Sequence, residues 1–173
     1  MKNQYILREL KEKDAPFMLE WMHDENVTRD LQNDFAGKTI EDCLCFINKS
    51  KEKCEDLHFA IVDMNDEYMG TVSLKHVSDK TAEFAITIRQ KAMGTGCSCF
   101  AMKKILDFGL RELNLAEVYW CVSPRNRRAV RFYNKHEYEC IPISEMVVTK
   151  QKCLQFYSKK QLDEYIWYHV LGK

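Results

Sequence analysis

Gly94 and Gly96 stand two residues apart in KAMGTGCSCF, residues 91–100, between a β-like run and a helix-like one. The first N–H groups of a helix have no partner within it and carry partial positive charge. Glycine lets a phosphate approach such backbone closely. A strand, then Gly-x-Gly, then a helix is therefore a candidate diphosphate cradle, with Arg89 and Lys91 as cations beside it. No Gly-Lys-Ser/Thr follows, which excludes a P-loop. Cys99 occupies the third glycine position of a dinucleotide fingerprint, and the strands before it read as a meander, so that alternative is set aside too.

Three further side chains have the chemistry to move protons. Glu83 lies in AEFAITI, residues 82–88, where alternation sets it opposite Phe84 and Ile86, on the face of Ala85 and Thr87. It reads either as a solvated strand residue or as a base. His76 ends the neighbouring strand as either a surface histidine or a base. Tyr133 falls at helical spacing from Ala129 and Val130, as core or as a proton donor, since a phenol stays protonated near neutrality. The eight cysteines form no zinc pattern. Cys43 and Cys45, like Cys97 and Cys99, are two apart within expected helices and point away from each other. They are expected to be reduced thiols, several buried, with no metal site.

The elements that must position these residues follow from the pattern. The chain of 173 residues is 46% hydrophobic and 30% charged, which suits one globular domain over residues 1–173. Its 26 basic and 26 acidic residues balance, so nothing global points to nucleic acid or an anionic membrane. No apolar run is long enough to span a bilayer, and MKNQYILREL lacks the apolar centre of a secretion signal, so a cytoplasmic location is expected.

A first strand is expected over residues 5–10, then a helix capped by Asp14 with Pro16 in its first turn. A polar, irregular stretch covers 26–37, and Thr39 with Asp42 opens the next helix as a capping box. Strands at 57–62, 68–76 and 82–88 make a meander. A helix runs from the glycines to about residue 113, a strand covers 117–122, and Asn126 caps a helix. Short strands are expected at 140–143 and 162–170. The order is that of a mixed α/β domain.

Asn126, Ala129 and Tyr133 fit Asn-x-x-Ala-x-x-x-Tyr about thirty residues after Lys91-Ala92-Met93-Gly94-Thr95-Gly96. This pair of segments resembles the GNAT superfamily of N-acetyltransferases, whose loop is Gln/Arg-x-x-Gly-x-Gly/Ala; Lys91 departs from the usual Gln or Arg. The resemblance extends over nearly the whole chain. Trp21-Met22-His23-Asp24 and LDEYIWYHV, residues 162–170, look like the branch acting on ribosomal-protein N-termini, polyamines and amino sugars. His136-Glu137-Tyr138 replaces the family's aliphatic-Gly-Phe.

The resemblance implies the GNAT fold, a single mixed, mostly antiparallel sheet of about seven strands flanked by about four helices. It implies acetyl-CoA as co-substrate and direct transfer to a primary amine in a ternary complex, without a metal. Backbone groups of Ile86, Thr87 and Ile88 would hold the pantetheine arm, with an oxyanion N–H near Ile88. Lys91, Met93, Gly94, Thr95, Gly96, Cys97 and Ser98 would surround the pyrophosphate, Asn126 would meet the cofactor, and Tyr133 would protonate the departing thiolate. Glu83, His76 or water would take the amine's proton. An acetyl-CoA sensor or interaction module without transferase activity is the other reading. The acceptor, a polyamine, peptide N-terminus, aminoglycoside or amino sugar, stays open, as does assembly as a homodimer. The acidic stretch 24–34 would suit a cationic acceptor or plain solvent.

Overall fold

The first departure from expectation comes at Asp14. In the computed structural model, which describes residues 4–52 and 56–173, this carboxylate does not cap the helix that follows it. It is buried instead, accepting both terminal amino groups of Arg8 at 2.8 Å and the Lys11 N–H at 2.8 Å. A guanidinium that matches both carboxylate oxygens outweighs a single cap bond. Cys54, one of the eight expected thiols, lies outside the described residues, as do residues 1–3 of the N-terminal stretch. None of the seven described cysteines is in a disulfide.

Contacts divide the chain into two compact units. The first covers residues 1–75 and 85–105. It holds strand β1 (Tyr5–Glu9) and helices α1 (Ala15–Met22), α2 (Glu25–Thr28) and α3 (Ile40–Ser50). It also holds β2 (Leu57–Asp63), β3 (Tyr68–Lys75), the second half of β4 (Thr81–Ile88) and most of α4 (Cys97–Asp107). The capping box forms as expected: the Thr39 hydroxyl accepts the Asp42 N–H at 3.3 Å, and Asp42 accepts the Thr39 N–H at 2.9 Å. Such a cap contributes about 1 kcal/mol. Below it, Met18, Trp21, Val27, Cys43, Ile47, Val62 and Tyr68 close a core. The irregular stretch is interrupted by the single turn of α2, whose Asp24 side chain accepts the Asn26 N–H.

One close approach fixes β4. A Cβ on Gly70 would lie 2.5 Å from the Thr87 carbonyl oxygen and 2.8 Å from the Ile88 Cα. No side chain fits there, and the bare backbone of β3 sets where Thr87 and Ile88 run.

The second unit covers residues 76–84 and 106–173. It holds the first half of β4, β5 (Glu117–Val122), α5 (Arg127–Lys135), β6 (Glu139–Cys140), α6 (Lys150–Cys153), α7 (Lys159–Glu164) and β7 (Ile166–Leu171). The seven strands form one mostly antiparallel sheet in the order β1-β2-β3-β4-β5-β7-β6. The exception is the parallel ladder of β4 with β5, which runs from Thr81–Glu117 to Glu83–Tyr119.

Three boundaries differ from the sequence reading. Residues 162–164 belong to α7, not to the last strand, because Ser158 and Gln161 make a capping box just upstream. Leu162 is buried and its carbonyl accepts the Trp167 indole N–H, so the strand starts only at Ile166. The short strand expected at 140–143 is Glu139–Cys140; Pro142, which has no N–H for a ladder, leads into a tight turn over Ile143–Glu145. The helix after the glycines keeps regular α geometry to Asp107 and then widens into a π-type turn over Phe108–Glu112.

Candidate active site

In the first unit, β4 runs into the glycine loop. The Arg89 N–H donates to the Met69 carbonyl of β3 at 2.8 Å, so the adjacent Ile88 N–H faces the opposite edge of the strand. Gly94 has φ 76° and Gly96 φ 87°, values that side chains rarely tolerate. A Cβ at either would meet nothing within 4 Å, so open space surrounds this backbone. The Phe100 N–H donates to the Gly96 carbonyl as the first turn of α4, which leaves the amides of Cys97, Ser98 and Cys99 without a helical acceptor. Thr95 pins the loop, donating to the Ala92 carbonyl and accepting from the Tyr5 hydroxyl at 2.7 Å. Met93 packs against the core. The local geometry fits a pyrophosphate: bare backbone, positive φ and a helix N-terminus.

The cations expected beside the loop are already engaged. Arg89 is buried, bonded to both oxygens of Glu20 at 2.9 and 2.8 Å, to Glu67 at 2.6 Å and to the Tyr68 carbonyl, with its guanidinium 4.5 Å above the Phe17 ring. Lys91 pairs with Glu67 at 2.8 Å, and together Lys91 and Arg89 hold that carboxyl below the usual range. Arg89 is thus a bolt behind the loop, while the half-exposed Lys91 lies on its edge.

In the second unit, Asn126 caps α5, its Oδ1 accepting the Ala129 N–H at 3.1 Å. Tyr133, two turns on, is 8% exposed, with Trp120 at 5.3 Å and Tyr168 at 5.0 Å between ring centroids. Burial pushes its phenol well above the usual value, so it remains a proton donor at any physiological pH.

Glu83 is not a solvated strand residue. It is 5% exposed, and its Oε1 accepts the Tyr157 hydroxyl. Its Oε2 stands 3.5 Å from His76 Nε2. The His76 ring stacks on Phe156, centroids 3.4 Å apart and planes 11° from parallel. His76 itself has φ 53°, an uncommon backbone conformation outside glycine.

An acetyltransferase (GNAT) domain model matches residues 4–139. The chain belongs to the GNAT acetyltransferases. This family carries out acetyl-CoA-dependent N-acetyl transfer. The spermidine N(1)-acetyltransferase of Escherichia coli K12 is 32% identical over 77 residues, which are 43% of this chain and 41% of that protein. The chain thus aligns with less than half the length of that relative. The spermidine N(1)-acetyltransferase of Vibrio cholerae is 25% identical over 140 residues, 78% of this chain and 79% of that one. Among solved structures, the Vibrio cholerae spermidine N-acetyltransferase in complex with CoA and spermine has the same fold, with TM-score 0.75 at 19% identity over 99% of this chain and 97% of the other. A GNAT acetyltransferase from Bacillus anthracis gives TM-score 0.73 at 18% identity, covering 98% and 95%.

For a GNAT chain, the residues that sequence reasoning missed are Phe156 and Tyr157. They lie between the strands expected at 140–143 and 162–170, and nothing local in KCLQFYS signals that a hydroxyl 74 residues downstream will reach Glu83. The tryptophans are packing residues: Trp21 donates to the Tyr68 hydroxyl, and Trp120 stacks on Tyr168. Arg127, Arg128 and Arg131 form an exposed helix face. Burial pushes the Cys97 thiol up to about 12, so this residue offers an amide rather than a thiolate. Among the described residues, no group of three or more His, Cys, Asp or Glu could hold a metal ion, and no helix is long and apolar enough to cross a membrane. A cleft of about 500 Å³ opens in the first unit between Met22, Glu25, Arg29, Asp34 and Phe35, within the stretch read as acidic.

The loop yields a direct test. Valine at Gly94 or Gly96 would force a β-branched residue into left-handed backbone, at a cost of about 1–2 kcal/mol, and the loop should leave its geometry. Acetyl-CoA affinity measured by calorimetry should fall in either variant while the fold persists. Wild-type affinity in a folded Gly96→Val protein would remove the loop from the binding site.

Proposed function

We propose that the chain, working as one domain over residues 1–173, transfers the acetyl group of acetyl-CoA to a primary amine of a polyamine. Transfer is direct, from thioester to amine, with both substrates bound. The observation that carries this reading is Tyr133, a phenol held protonated by burial on the helix that Asn126 caps. A thiolate leaving group is what such an acid serves. The relatives named for spermidine support a polyamine acceptor, as does the acidic balance of the cleft at Glu25 and Asp34.

The chemistry asks three things of this chain. A primary alkyl ammonium with pKa of about 10.4 is almost wholly protonated at pH 7, so it must lose a proton first, toward the Glu83 carboxylate and its neighbours. The free amine attacks the thioester carbon, and the Ile88 N–H, facing away from β3, donates to the oxyanion. Collapse breaks the C–S bond and Tyr133 protonates the sulfur. The nitrogen sheds its second proton, Tyr133 regains one through water, and one proton is released overall. In the binding role, Ile86, Thr87 and Ile88 present backbone to the pantetheine arm. Lys91 and Met93 to Ser98 take the pyrophosphate and Asn126 the nearby amides. Orientation of two bound substrates supplies most of the rate.

The test is CoA release with spermidine, spermine, a peptide N-terminus, an aminoglycoside and an amino sugar. Spermidine or spermine should give the highest kcat/KM, with intersecting initial-velocity lines. A preference for another amine class would replace the polyamine. Acetyl-CoA binding without amine-stimulated CoA release would establish a sensor in place of an enzyme.

A further inference from the structure

Glu83 has an unusual set of neighbours for a carboxylate assigned to proton transfer. The titratable groups that face it are His76 from the turn after β3, Tyr119 from β5, Cys153 from α6 and Tyr157 beyond α6. Cys121 in turn faces Tyr157. Burial pushes the Cys153 thiol up to about 11 and raises both phenols well above their usual values. All three are neutral at physiological pH and none of them accepts a proton. Tyr157 donates to Glu83 Oε1 and so fixes the orientation of the carboxylate. Oε2 stands 3.5 Å from His76 Nε2, an ion-pair contact rather than a hydrogen bond. The imidazole is held in turn by its stack on Phe156 and by a left-handed backbone at residue 76. Backbone strain of this kind persists where the surroundings over-determine it, and it clusters at functional sites. The His76 side chain is 19% exposed against 6% for Glu83, so the imidazole is the member that solvent and an acceptor reach.

From this arrangement we infer that His76 is the residue that takes the acceptor's proton, with Glu83 and Tyr157 as positioning residues that act through it. The neutral imidazole takes the proton from the ammonium, with the Glu83 carboxylate 3.5 Å from Nε2 to stabilise the resulting cation. The N–H electron pair stays on the amine nitrogen, the imidazole becomes an imidazolium facing the Glu83 carboxylate, and His76 returns its proton to solvent after transfer. A carboxylate that fixes the tautomer of a histidine and stabilises its cation is a recurrent device. The inference rests on the acetyl-transfer reading for its substrate but not for its geometry.

Two measurements on the full chain test it. In the first, the acid limb of kcat/KM against pH, with spermidine as acceptor, is followed in wild type and in His76→Gln, Glu83→Gln and Tyr157→Phe. His76→Gln should lower kcat/KM at pH 7 by about 10²-fold or more and abolish the limb. Glu83→Gln should move the limb to lower pH, whereas Tyr157→Phe, which leaves the carboxylate charge in place, should move it far less. In the second, the His76 ring is titrated by NMR without substrate. Its midpoint should coincide with the wild-type limb and fall in Glu83→Gln, because an anionic neighbour favours the imidazolium. A His76→Gln variant that keeps the wild-type limb would overturn the inference and return the proton to Glu83 or water. An NMR midpoint unmoved by Glu83→Gln would overturn the coupling. Should wild type acetylate no amine, the transfer reading fails by itself, and the NMR titration alone decides the array.

Discussion

Replacing Tyr133 with phenylalanine should lower kcat by about 10²–10⁴-fold, the range general acid catalysis supplies, while acetyl-CoA affinity stays close to wild type. Only the hydroxyl is lost. The ring's packing against Trp120, Tyr138 and Tyr168 is common to both residues, so α5 should hold its place. An acid matters here because the leaving thiolate otherwise departs unprotonated into a site whose low polarity already drives the Tyr133 phenol toward its neutral form. The same burial predicts a flat alkaline profile for wild type: with the phenol raised, activity should not fall on the basic side as it would for an ordinary tyrosine titrating near pH 10. Single-turnover acetyl transfer, with binding measured separately by calorimetry, reads the effect. Wild-type single-turnover rates in Tyr133→Phe would take the residue out of the chemistry.

Glu117→Ala should be the most destabilising single change in the second unit. This carboxylate is fully buried; it accepts the Val148 N–H at 2.8 Å, the Val147 N–H at 3.1 Å and His169 Nδ1 at 2.8 Å. Alanine leaves two backbone donors and an imidazole without their acceptor and opens a void between β5 and β7. Breaking such a network costs about 3–5 kcal/mol, against a total stability of about 5–15 kcal/mol. For a chain of this size the melting temperature should fall by on the order of 10 °C. Glu117→Gln, which keeps one acceptor oxygen, should lose less. Thermal and urea unfolding of the three proteins measure this order; a Glu117→Ala protein as stable as wild type would show that residues 147–148 are held by other contacts.

What was legible in the residues was what acts locally. Thr39 with Asp42, Asn126 with Ala129, and the paired glycines are short-range devices, and each is visible from types a few positions apart. The sheet's meander was legible for the same reason, since alternation and turn residues fall in sequence order. Asp14 departs from the local pattern because its partner, Arg8, lies on another element, and a bidentate guanidinium outcompetes a cap. The sequence pattern overextends the last strand because the apolar and aromatic residues of LDEYIWYHV mask the Ser158–Gln161 helix start just before it. In the site, Glu83 was picked out by its place on the strand, but its burial and its tyrosine partner depend on a segment that carries no pattern of its own. Arg89 was seen as a cation for a ligand when it is a structural bolt, because charge type is readable and commitment to Glu20 and Glu67 is not.

The bolt at Arg89 has a bearing on how the chain is made. Each group that Arg89 grips, Phe17, Glu20, Glu67 and the Tyr68 carbonyl, precedes it in the sequence. On a growing chain all of them are synthesised before Arg89, so no later segment is needed to anchor the loop behind which it sits. Glu83 is translated earlier still, yet its hydroxyl donor follows 74 residues later. At roughly 5–20 residues per second, that separation corresponds to about 4–15 seconds of synthesis. A ribosome stalled in that interval would carry a nascent chain with every partner for anchoring the glycine loop already synthesised and its carboxylate still waiting for Tyr157.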